Sequence, residues 1–148
     1  MNLRMTYLGI DYGSRRIGLA VAEAGIAFPI SAATQEAEGA RLQHIAVIVA
    51  QREIAALVVG YPLHEDGSAG EMAAAVDAFI ARLEARLQLP VYRQDEYGSS
   101  QAADASGTRR GRTSHSVQAQ KAQRQSGERD SRAAAVILQD FLDTQGTA

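Results

Sequence analysis

Six consecutive apolar residues, Ile54-Ala55-Ala56-Leu57-Val58-Val59, ended by Gly60-Tyr61-Pro62, constrain the fold of this chain more than any other feature. A strand with one wet face alternates apolar and polar side chains, whereas an unbroken run belongs to a strand covered on both faces, as in a parallel sheet. The flanking segments supply the cover. From Gly39 to Glu53, Leu42, Ile45, Ala46, Ile48 and Val49 recur at helical spacing. After the run, Met72, Val76, Phe79, Ile80, Leu83 and Leu87 form the apolar stripe of a second helix, read as core and closed by Pro90. Val91-Tyr92 then begins another strand that ends at Asp95-Glu96.

The N-terminal segment reads differently. Tyr7-Leu8-Gly9-Ile10 and Ile17-Gly18-Leu19-Ala20-Val21-Ala22 are two strands joined by a tight reversal through Asp11-Tyr12-Gly13-Ser14-Arg15-Arg16. Ile26-Ala27-Phe28-Pro29-Ile30 is a third, kept to an edge by Pro29. An antiparallel meander followed by helix, strand, helix, strand predicts an α/β fold with a mixed five-stranded sheet and helices on both faces. At 148 residues the expectation is one domain.

The formal charge of −2 gives no basic field over the whole molecule, so a nucleic-acid surface has to be local. There are no cysteines, which excludes disulfides, thiolate metal sites and a cysteine nucleophile, and fits a reducing cytoplasm. The N-terminus lacks a signal pattern, and no apolar run approaches the ~20 residues needed to cross a bilayer. The expected setting is the cytoplasm, without a membrane.

Residues 105–129 change in character: Arg109, Arg110, Arg112, Lys121, Arg124 and Arg129 face one acid, Glu128, and Val117 is the one large aliphatic residue. The segment is a mobile basic loop or a polar helix. The last element, Asp130 to Leu142, is alanine-rich and periodic, with Asp130 near its N-cap.

Three carboxylates thus fall at element ends: Asp11, Glu96 and Asp130. Each has an ordinary explanation, Asp11 as a turn residue, Glu96 as a solvated loop residue and Asp130 as a helix cap. Gathered on one rim, they would repel unless a divalent cation lay between them, and oxygen ligands alone suit Mg²⁺ or Mn²⁺. Such a centre activates water for phosphodiester hydrolysis. Asp95 points to the opposite side of the strand from Glu96, so one of the two joins any given site. Arg15 and Arg16 are either turn residues or phosphate contacts beside Asp11. His64 and His115 are left outside the site, because a lone loop histidine is more often neither base nor ligand.

The motif around Asp11, Gly13 and Gly18, the run Val58-Val59-Gly60-Tyr61-Pro62-Leu63-His64-Glu65-Asp66-Gly67-Ser68, the Asp95-Glu96 pair, and Asp130 with Ala133-Ala134 and Ile137-Leu138 together resemble the YqgF/RuvX family. Its members are Holliday junction resolvases, also described as pre-ribosomal RNA nucleases. The resemblance implies a ribonuclease H-like fold, Asp11, Glu96 and Asp130 as catalytic and metal-binding triad, and a divalent cation, Mg²⁺ or Mn²⁺. The implied role is processing of the 5′ end of pre-16S rRNA in ribosome biogenesis, or resolution of branched DNA in recombination and repair. One departure stands out: Tyr97 occupies the position of a family arginine, and Gly98 follows it. Tyrosine cannot supply charge to a phosphate. Arg109, Arg110, Arg112, Lys121 and Arg124, tethered between Glu96 and Asp130, can track a phosphate backbone instead.

Two other classes compete. An Asp-x-Gly turn between strands also opens actin-like and sugar-kinase ATP-binding folds, but those hold nucleotide between two lobes, and 148 residues leave no room for a second. A nucleic-acid-binding module without activity is compatible with Tyr97. Junction resolution needs paired sites in a two-fold dimer and RNA trimming needs one, so monomer and homodimer both remain open.

Overall fold

A computed structural model describes residues 5–63, 69–97 and 116–146, with the backbone alone at 97 and 116–126. Five strands, β1 (Tyr7–Tyr12), β2 (Ile17–Glu23), β3 (Ile26–Ala33), β4 (Ala56–Leu63) and β5 (Val91–Tyr97), form one sheet in the order β3-β2-β1-β4-β5. The first three are antiparallel neighbours, while β4 and β5 run parallel to β1. Helix α1 (Glu38–Arg52) joins β3 to β4, α2 (Glu71–Leu87) joins β4 to β5, and α3 (Ser116–Gly146) follows. The mixed sheet matches the sequence expectation. No described helix is long and apolar enough to cross a membrane.

The apolar run becomes β4, whose Ala56, Leu57, Val58 and Val59 are all fully buried between β1 and β5. It does not stop at Gly60-Tyr61-Pro62 as expected, but continues to Leu63 against β5. The geometry explains why Pro62 is tolerated. The Leu57 amide donates to Pro90 on the β5 side, so the amides of even-numbered residues in β4 face β1. Pairing with β1 ends at Ile10–Val59, and the missing Pro62 N–H therefore costs no ladder bond. Pro29 likewise lies in β3, an edge strand.

Strand alternation sorts the core into two layers. Leu8, Ile10, Ile17, Leu19, Val21, Leu57 and Val59 pack with Ile45, Val76, Phe79, Ile80 and Leu83 of α1 and α2. On the other face, Ala20 and Val58 pack with Ala134, Ile137, Leu138 and Phe141 of α3, which contacts all five strands. Each fully buried Leu, Ile or Phe side chain contributes ~1.5–3 kcal/mol through removal from water. Of the α2 stripe, Phe79 and Ile80 are core, but Met72 is 56% exposed and is not. It lies in the first turn of α2, and Ala73 is the buried residue there.

The last helix also departs from expectation. Asp130 is no N-cap: α3 begins at Ser116, and Asp130 lies in its interior. The polar-helix alternative therefore describes residues 116–129, where glutamine, alanine, lysine and arginine all favour helix. Residues 105–115 lie outside the described residues.

Candidate active site

Asp11 is the penultimate residue of β1 and pairs across the hairpin with Gly18. Its neighbour Tyr12 projects to the α2 face, stacks on Phe79 with ring centroids 4.2 Å apart, and donates a 3.3 Å hydrogen bond to Glu38. Burial, then the charge of Glu38 and this bond, raise the Tyr12 phenol above its ordinary value. The backbone carrying Asp11 is thus pinned from the opposite face.

Asp130 reaches the same place from α3. A β-carbon on Gly18 would overlap the Asp130 carbonyl, and one on Gly60 would lie 2.5 Å from Ile137 Cδ1. Without those side chains the helix sits directly on the sheet, which brings the Asp130 backbone against the cross-strand partner of Asp11. The next residue, Ser131, is buried, and its hydroxyl accepts a 3.2 Å hydrogen bond from the Leu19 amide, where the β2–β3 register shifts. This contact fixes the height of Asp130 over the hairpin.

The register also separates Glu96 from Asp95. Ile10 pairs with Val59 and Val59 with Arg93, so Asp11 is level with Gly60 and Gln94 and shares their face. Glu96, two residues beyond Gln94, is on that same α3 face. Asp95 pairs with Tyr61 on the α2 face. There Asp77 accepts from both Tyr61 and Arg93, and the Tyr61 bond raises its phenol above the ordinary value. All three candidate acids are half-buried.

Arg16 bridges Asp130 at 2.8 Å, with side chains 35% and 26% exposed. Arg15 beside it is exposed at the hairpin tip. Lys121 and Arg124 are on the first half of α3, with side chains outside the described residues. Arg109, Arg110, Arg112, His64 and His115 also lie outside the described residues. Sequence reasoning missed Ser131, which no charge or spacing pattern marks.

Among the described residues, no three histidine, aspartate or glutamate side chains are close enough to enclose a metal ion. Asp130 instead turns to Arg16, a monovalent partner that offsets one of the three like charges. The chemistry of these three carboxylates, two on strand ends and one on α3, suits a hard divalent cation.

A five-stranded mixed sheet in this order, crossed by a long helix on one face, is a ribonuclease H-like fold. It is similar over 98% of both chains to Thermus thermophilus RuvC in complex with a Holliday junction substrate, with TM-score 0.51 and 17% identity. A fowlpox virus resolvase in complex with Holliday junction DNA has TM-score 0.50 and 12% identity, over 93% of this chain and 99% of that one. Residues 5–144 match the RuvX family, described as Holliday junction resolvase, and the chain belongs to that family. Among its relatives, proteins named "Putative pre-16S rRNA nuclease" are 43% identical in Opitutus terrae and 39% identical in Anaeromyxobacter sp. (strain K). The alignments cover 94% of this chain in each case, with 92% and 97% of the respective relatives.

Proposed function

We propose that this chain is a divalent-metal-dependent nuclease that hydrolyses phosphodiester bonds, with the 5′ end of pre-16S rRNA in the cytoplasm as its substrate. The observation that carries this reading is the contiguity of Asp11, Gly18 and Asp130, with Glu96 on the same face of the sheet. The names of full-length relatives support the choice of substrate.

Asp11, Glu96 and Asp130 would hold one or two Mg²⁺ or Mn²⁺ ions. When bound, these ions lower the pKa of water and neutralise charge on the phosphoryl group under attack. The chain's own part is positional. Asp11 and Glu96 are held on strands, which keeps their separation fixed. Arg16, released from Asp130, is placed to receive a phosphate oxygen, and Arg15 adds a second cation at the hairpin tip. With Tyr97 where the family has an arginine, phosphate positioning falls to Arg15, Arg16 and the basic residues between Glu96 and Asp130.

The test presents purified protein, with Mn²⁺ or Mg²⁺, to single-stranded RNA carrying a pre-16S 5′ extension, to single-stranded DNA and to a four-way junction. The expected result is metal-dependent cleavage of the RNA that is absent with Asp11→Asn protein. Cleavage of the junction alone would move the substrate to branched DNA. Tight binding without turnover under every metal would overturn the enzymatic reading.

A further inference from the structure

Arg41 is 5% exposed in the first turns of α1. Its guanidinium donates to three neutral acceptors: the carbonyls of Gln35 at 2.6 Å, Glu36 at 2.9 Å and Ser14 at 3.0 Å. Its buried Nε has no acceptor, and among the described residues no carboxylate is paired with it. Arginine cannot shed its proton, so this is a permanent positive charge withdrawn from water and held by neutral acceptors.

A staple between the hairpin tip and the loop before α1 needs donors, not a charge. The surroundings make the charge more costly. Arg41 borders a cleft of about 1340 Å³ between the hairpin tip, β3 and α3, whose walls also carry Arg15, Arg16 and Arg132 against Glu36 and Glu128. Arg132 and Glu128 are 3.9 Å apart and mostly exposed, a pairing that leaves Arg132 free to turn to a ligand. The cleft reaches the candidate acids through Arg16, which lines it and bridges Asp130. Arg15, Arg16 and Arg41 gather at the hairpin tip, Arg41 through its bond to the Ser14 carbonyl, while Arg132 stands across the cleft on α3, so the cations line its length for an extended anion.

We infer that this cleft is a track for the phosphodiester backbone of the substrate, leading to the acids at Arg16, with Arg41 as the fixed charge in its floor. The inference rests on the nuclease reading for its ligand class. A backbone phosphate lying in the track supplies the ion-pair partner that Arg41 lacks among the described residues, and arginines that meet phosphate read no bases.

The test measures binding of a single-stranded RNA oligonucleotide and of an RNA duplex by fluorescence anisotropy in EDTA across a salt series, so that binding is read without cleavage. Each single-strand phosphate contact contributes about 0.7 to the slope of log affinity against log salt. Arg41→Met and Arg132→Gln should each flatten the slope for at least one of the two ligands by about that amount, while Arg41→Lys keeps it. The ligand whose slope changes identifies the backbone that the track takes. Slopes equal to wild type in Arg132→Gln, and in Arg41→Met where it folds, would overturn the track even if the protein cleaves RNA. Altered slopes in a protein that never cleaves would sustain the track and remove the nuclease.

Discussion

The carbonyl oxygen of Asp130 occupies the space that a side chain on Gly18 would fill, so α3 and the β1–β2 hairpin meet backbone to backbone beside Asp11. A Gly18→Ala substitution has to push the helix away, because the obstacle is main chain on both sides. Overpacking of this kind costs ~1–3 kcal/mol. The expected outcome is a lowered urea midpoint together with loss of cleavage. Gly39→Ala is the matching control: it lies in α1 with open space around it and should raise stability by ~0.5–1 kcal/mol.

Ser131 tests the same seam from the helix. Its buried hydroxyl satisfies the Leu19 amide, and Ser131→Ala leaves that donor unpaired at a cost of ~1–3 kcal/mol. Amide hydrogen exchange at Leu19 should accelerate in this variant, while exchange in β5 should follow only the global loss of stability.

The sheet was more legible in the sequence than the seam that completes the site. Alternating and unbroken apolar runs reveal strands whatever their partners, and Asp11 is visible because a carboxylate at a strand exit is chemically conspicuous. Asp130 looks like a helix cap in the sequence because residues 116–129 carry no apolar stripe, so periodicity has nothing to register there although propensity favours helix. Glu96 rather than Asp95 is what the family resemblance implies, while the β1–β4–β5 register that puts Glu96 on the face of Asp11 is set by pairing at long range. Arg41 is silent in sequence: a cation in a helical first turn looks solvated, and its burial comes from the hairpin tip folding over it. Spacing assigns Met72 to the core although it is exposed, because spacing alone cannot tell the buried edge of a stripe from its exposed end.

The Arg16–Asp130 bridge predicts competition with metal. A half-exposed pair is worth ~0.2–1 kcal/mol, so Arg16→Gln should tighten Mn²⁺ binding by up to about fivefold. Isothermal titration calorimetry measures this without substrate. Cleavage should fall in the same variant through the loss of a phosphate contact, an opposed pair of effects that a purely structural arginine would not give.

Tyr12 predicts an alkaline limit. Its folded pKa is raised above 10.0, so the folded state holds the phenolic proton more tightly than the unfolded chain. That contribution is fully present below about pH 10 and is lost as pH rises through the folded value. Urea midpoints at about pH 8 and pH 11 should therefore drop less in Tyr12→Phe than in wild type. Part of the loss should persist in the variant, because the Tyr61 phenol is raised as well.

The central claim is that acids from β1, β5 and α3 act as one centre. Groups that work as a unit are non-additive: removing any one costs about as much as removing all. The direct measurement is the single-turnover RNA cleavage rate, in Mn²⁺, of Asp11→Asn, Glu96→Gln and Asp130→Asn proteins and of the triple variant, each with its fold verified. The predicted result is that every single variant falls to the residual rate of the triple. A Glu96→Gln or Asp130→Asn protein that cleaves at the wild-type rate would contradict it.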